Sequence, residues 1–137
     1  MRRLSFILLL ILTLPQLSVA QQTNKEVMPN DTTIYCMYIV DQQARLSSEK
    51  LNKHLQANLQ YPKYAYQKGV EGTVYVRFAV EKDGSITNVK VRKGVNPELD
   101  AEAIKVVSTM PKWEPGKNKG IIVRTRHEYP VKFKKLN

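Results

Sequence analysis

From Thr73 the chain alternates: Val74, Val76, Phe78 and Val80 are apolar, whereas Thr73, Tyr75, Arg77 and Glu81 are polar or amphipathic. A period of two places the first set on one face of a pleated ribbon and predicts a half-buried antiparallel strand. Asp83-Gly84 follows, the pair suited to the positive-φ positions of a type I′ turn, so a hairpin is expected. The returning strand carries Ile86, then Val89 and Val91. That odd offset predicts a bulge near Thr87-Asn88.

Helical spacing brackets the hairpin. Leu46, Ser47 and Leu51 stand as hydrophobic staple, N-cap and fourth helical position, and Leu51, Leu55 and Leu59 continue at intervals of four. The helix must end near Gln60, because Tyr61 precedes Pro62 and is pushed toward extended geometry. A second short turn over 63–68 closes at Gly69, a suitable C′ residue. Asn96, Pro97 and the acidic Glu98, Asp100 and Glu102 announce another helix by cap, first-turn proline and dipole. Its inner stripe is Leu99, Ala103, Val106 or Val107, and Met110, and Pro111 ends it. In the stiff loop 111–117, Trp113 is expected to pin the backbone to the core. Upstream, residues 34–40 form a β-type run of aromatic and branched residues, expected as a strand that buries Cys36, the alternative being a thiol free to pair with a second molecule.

The last segment alternates over 121–133, with Ile121, Val123, Thr125, His127, Tyr129, Val131 and Phe133 at the odd positions. Thirteen extended residues would span roughly 43 Å, more than the hairpin strands can pair with. Pro130 has no amide hydrogen to donate and calls for an edge or a bulge. The final strand is therefore expected to leave an edge open.

Composition bears mainly on class. The 137 residues include 22 Lys+Arg against 12 Asp+Glu, a net charge of +10, with one cysteine and two histidines. This is one globular domain without an intramolecular disulfide, and neither a metal site nor a cofactor is expected. Arg2-Arg3, the apolar run 4–14 and the small residues Ser18 and Ala20 read as a signal peptide over 1–20, followed by a flexible leader over 21–33 and a domain over 34–137. Eleven apolar residues span about 16 Å as helix, short of a hydrocarbon core of about 30 Å. An exported basic domain meets an anionic envelope surface or an acidic protein rather than nucleic acid. His127, on the apolar face, is expected as a packed core residue, and His54 as a surface residue. No serine has a histidine at motif spacing, and no Gly-rich phosphate loop occurs, so no enzyme is expected.

Several pieces fall in a recognisable order: Tyr61-Pro62, Gly69-Val70-Glu71-Gly72-Thr73-Val74, Val80-Glu81-Lys82-Asp83-Gly84-Ser85-Ile86, Leu99-Asp100 with Ala103, Trp113-Glu114-Pro115-Gly116-Lys117, and Tyr129-Pro130-Val131-Lys132-Phe133. Together they resemble the TonB C-terminal domain family in its Bacteroidetes-type form, over about residues 47 to 134. The resemblance implies an α+β two-layer sandwich, a three-stranded antiparallel sheet with helices on one face, to which the 34–40 strand would add. It also implies a periplasmic, non-enzymatic protein that takes up the TonB-box segment of an outer-membrane transporter by strand addition and couples to an inner-membrane motor complex. By matching positions, the receiving edge would comprise Ile122, Val123, Arg124, Thr125, Arg126, His127 and Glu128, flanked by Asn58 and Gln60. Arg124 and Arg126, expected on the outer face, would favour an acidic segment. A soluble adaptor of the same fold without motor coupling is the alternative, and an open edge also admits a strand-exchanged homodimer.

Overall fold

The computed structural model describes residues 33–136; the expected signal peptide and nearly all of the leader lie outside the described residues. The elements run β1 (Tyr35–Cys36), α1 (Ser48–Asn58), α2 (Lys63–Gln67), β2 (Gly72–Val80), β3 (Ile86–Lys93), α3 (Pro97–Ser108), β4 (Gly116–Asn118), β5 (Ile121–Val123) and β6 (Thr125–Phe133). The main sheet has the order β1-β6-β2-β3, and β4 and β5 form a separate two-stranded ribbon. This is the expected α+β sandwich.

The central strand is β2, whose apolar positions Val74, Val76, Phe78 and Val80 are fully buried. Against them pack Leu99, Ala103, Val106 and Val107 of α3, with Val131 and Phe133 of β6. Both valines of α3 are buried, so its apolar stripe is wider than one residue per turn. Its cap is the expected one, with the Asn96 side chain accepting from the Leu99 amide at 2.9 Å. Ser47 caps α1 by accepting from the Lys50 amide at 3.3 Å. Leu51 and Leu55 of α1, and Leu59 just past its end, lie half-buried over the core. Gly69 takes φ +68 just after α2, as a helix-closing residue should. Trp113 stacks edge-on against Phe78, their ring centroids 5.4 Å apart.

Four expectations need correction. The β2–β3 connection is not a type I′ turn, because Asp83 keeps a negative φ and only Gly84 is left-handed, at φ +85. Gly84 N donates to Glu81 O and Glu81 N to Ser85 O, both at 2.9 Å. This is a three-residue loop, a type I turn ending in a glycine bulge. The Asp83 carboxylate accepts from the Ser85 amide at 2.9 Å, which holds the turn in that form. The bulge expected near Thr87-Asn88 is present, with Asn88 at φ 51 and a register shift between the Arg77 and Ala79 pairs.

The thirteen-residue final strand is two strands. Lys119 (φ 50) and Gly120 (φ 76) make a tight left-handed turn that folds β5 back onto β4, pairing Asn118 with Ile121 and Lys117 with Ile122. The pairing partner of the chain then changes at Arg124, and β6 begins. Likewise the 34–40 strand shrinks to Tyr35–Cys36 and continues as a 3-10 turn, Met37–Ile39. Cys36 is exposed rather than buried, because β1 is a short edge strand with no layer over that side.

Candidate functional site

β6 pairs with β2 without interruption from Thr125↔Val80 to Phe133↔Gly72. Pro130 sits in this register opposite Tyr75 and does not break it. The reason is backbone parity. Successive residues of a strand turn their N–H and C=O groups to opposite edges. The Tyr35 amide donates to the Arg124 carbonyl at 2.9 Å, so even-numbered positions face away from β2. A missing donor at Pro130 therefore falls on the outer edge, where β2 needs none.

On that outer edge β1 occupies only the start, with Tyr35↔Thr125 and Cys36↔Arg126 in parallel register. Beyond it, the amides of Glu128 and Lys132 and the carbonyls of Glu128, Pro130 and Lys132 have no backbone partner among the described residues. The vacant stretch is thus 128–132. Beside it runs a groove of about 300 Å³ lined by Leu55, Leu59, Tyr129, Pro130, Val131 and Lys132. A strand laid there would place alternate side chains against an apolar wall.

The residues expected to receive a guest are distributed differently from a single open edge. Ile122 and Val123 belong to β5 and are already paired with β4. The Arg124 guanidinium does not face a partner: it is bonded to the Glu81 carboxylate at 2.8 Å, and its side chain is 16% exposed. Thr125 and Arg126 lie under β1. His127 is buried, so Glu128 alone of that set opens onto the vacant stretch. Asn58 and Gln60 stand at the end of α1, next to the groove residue Leu59. The Asn58 side-chain amide donates to the His54 carbonyl at 2.8 Å, and the Gln60 backbone amide to Glu102 Oε1 at 2.8 Å. Sequence reasoning missed the groove residues Tyr129, Val131 and Lys132. The available signal was Pro130 itself, which marks the side of the strand not used by the sheet.

The electrostatics of the edge are set by Glu128. Arg92 grips its carboxylate through Nε and, at 2.9 Å, through Nη2, and Arg77 approaches to 3.9 Å. The Arg92 hydrogen bond holds the Glu128 carboxyl below the usual carboxylate range. Across the sheet, β3 also presents an edge, but a guarded one. Two register shifts break its regularity, and Lys90, Arg92 and Lys93 are exposed along it. Bulges and cations are how natural sheets block pairing at an edge.

Neither histidine is placed for proton transfer. His127 packs against both Phe78 and Trp113, and its Nε2 is 2.9 Å from Thr125 Oγ1. His54, expected at the surface, is partly buried, with Nε2 donating to the Val106 carbonyl at 2.8 Å, which fastens α1 to α3. No group of three metal-ligating side chains occurs among the described residues.

Burial pushes the His127 imidazole below its ordinary 6.5. Above that value the ring is neutral in both folded and unfolded states; below it the unfolded chain takes up the proton first, so stability is lost. Urea midpoints measured between about pH 7 and about pH 5 should fall for the native sequence and fall less for His127→Gln.

A family model described as the Gram-negative bacterial TonB protein C-terminal matches residues 57–135. Two curated relatives named Protein TonB, from Helicobacter pylori strains J99 and 26695, are each 36% identical over 50 residues. Those 50 residues are 36% of this chain and 18% of each relative. The solution structure of the Helicobacter pylori TonB-CTD superposes with a TM-score of 0.51 at 26% identity, over 67% of this chain and 86% of that one. No catalytic family is indicated.

Proposed function

Because the chain belongs to the TonB C-terminal domain family, we propose that it receives an extended N-terminal segment of an outer-membrane transporter as an added strand on β6, and so takes part in energy-dependent transport from the periplasm. The observation that carries this reading is the vacant outer edge at 128–132 beside an apolar groove. In β-augmentation main-chain hydrogen bonds supply affinity and the pockets for alternate side chains supply selectivity. The unpaired groups of Glu128, Pro130 and Lys132 would each contribute about 1 kcal/mol net. These sum to about 5 kcal/mol before the guest is ordered, so the main chain alone gives affinity no tighter than about millimolar, and side chains seated in the apolar groove supply what exceeds it, a range suited to repeated capture and release.

The receiving stretch proposed here lies toward the C-terminus of the one expected from matching positions alone, because β1 and β4 already occupy residues before His127. The guarded edge of β3 supports the choice of β6 over its opposite side. An amide NMR titration with synthetic transporter N-terminal peptides tests the reading. Shifts should concentrate at 128–132 and at Leu55 and Leu59. Shifts confined to β3, or none at about millimolar peptide, would overturn it.

A further inference from the structure

The helices cover one face of the sheet, and the opposite face carries charge. The register places Arg126, Glu128, Pro130 and Lys132 of β6 beside Ala79, Arg77, Tyr75 and Thr73 of β2. Lys90 and Lys93 of β3 lie opposite Arg77 and Tyr75. Arg92 joins the same face, its guanidinium 5.3 Å from the Tyr75 ring centroid and bonded to Glu128. Six cations thus stand on this face with Glu128 as the one carboxylate among these strand positions, itself held by Arg92 and Arg77. Strands sit about 4.8 Å apart and same-face residues about 6.7 Å apart, so the charges form a sheet rather than a pocket.

A second feature adjoins it. The 3-10 turn after β1 lies at the corner of this face, where Met37 and Tyr38 share a concavity with Arg77, Arg126 and Glu128. There Tyr38 is 81% exposed and Ile39 66%. A broad cationic plane rimmed by an amphipathic ring and a bare aliphatic side chain matches a lipid headgroup layer, in which cations meet phosphates and the rim enters the acyl boundary. Nucleic acid or an acidic protein would account for the cations but not for the exposed Ile39.

We propose that the helix-free face of the sheet docks on an anionic phospholipid surface, with Tyr38 and Ile39 as its insertion point. The face shares the side chains of Arg126, Glu128 and Lys132 with β6 but does not use the backbone edge of that strand, and Lys90 and Lys93 lie on the far strand, so the proposal and the strand-addition reading fail separately.

Sedimentation of the full chain with vesicles of phosphatidylcholine, alone or with about 30% phosphatidylglycerol, tests it. The N-terminal apolar run is common to all variants and cancels when each is compared with the native chain. The native ratio of anionic to neutral binding should exceed one and fall as salt rises from about 50 mM to about 300 mM. The double variant Lys90→Glu/Lys93→Glu should lower the ratio roughly tenfold or more, and Lys50→Glu/Lys53→Glu, on exposed α1 positions, by less than about twofold. Tyr38→Ser/Ile39→Ser should weaken vesicle binding at the higher salt. If Lys90→Glu/Lys93→Glu disturbs folding, Lys90→Gln/Lys93→Gln should still lower the ratio, by a smaller factor. Equal losses in the two charge-reversal variants, a native ratio near one, or preference for a single-stranded oligonucleotide over anionic vesicles would each overturn the proposal.

Discussion

Lys132→Pro is expected to fold with near-native stability yet bind transporter peptides about tenfold more weakly, whereas Val131→Pro one residue earlier is expected to unfold the domain. The contrast follows from parity. The Lys132 amide faces the vacant edge, so removing its hydrogen takes away a donor that only a guest strand would use. Val131 faces β2, pairs with Val74 and is 1% exposed. Proline there removes a ladder bond at the centre of the sheet and displaces a buried side chain, a loss of about 3 kcal/mol or more. That is a large part of the stability of a small domain. Urea denaturation separates the two variants, and isothermal titration with the peptide reads the binding loss. Undiminished binding by Lys132→Pro would show that the guest does not pair on this edge.

The second large effect lies at Gly84. Turn chemistry alone rates asparagine a mild substitute for a left-handed glycine, because its side chain tolerates that region. At Gly120, φ +76, nothing lies within 4 Å of an added Cβ, and Gly120→Asn should cost about 1 kcal/mol or less. At Gly84 an added Cβ would stand 2.1 Å from the Trp113 carbonyl oxygen. The Trp113 amide in turn donates to the Gly84 carbonyl at 2.9 Å. The hairpin tip and the loop after α3 are in direct backbone contact, and neither can give way without losing that bond and the Trp113–Phe78 contact. Gly84→Asn should therefore cost about 3 kcal/mol or more, measured as the change in unfolding free energy. Similar costs at the two glycines would refute the close approach.

Much of the domain was legible because its signals are local. Ser47 and Asn96 cap helices through bonds to amides three residues on, and the alternation from Val74 to Val80 needs only the pleat. His127 was readable as a core residue from its place among apolar neighbours. The errors arose where two local choices have similar energies. Asp83-Gly84 suits either a two-residue or a three-residue loop, and the Asp83–Ser85 bonds favour the second. Lys119-Gly120, by contrast, forms the tight turn that the alternation across 121–133 conceals, because the odd positions on either side of Arg124, Val123 and Thr125, are both buried and the phase does not change there.

The helices, the central hairpin and the apolar faces follow from the order of the residues, since each depends on positions within a few places of one another. Which backbone groups stay without a partner among the described residues is settled by packing at long range. The occupancy of an edge is a contest between segments far apart in the chain: Tyr35 against Arg124, Gln42 against Lys117, Val80 against Thr125. Its outcome depends on where the folded chain brings those segments together, and that geometry leaves 128–132 as the stretch of β6 whose outer edge has no backbone partner among the described residues.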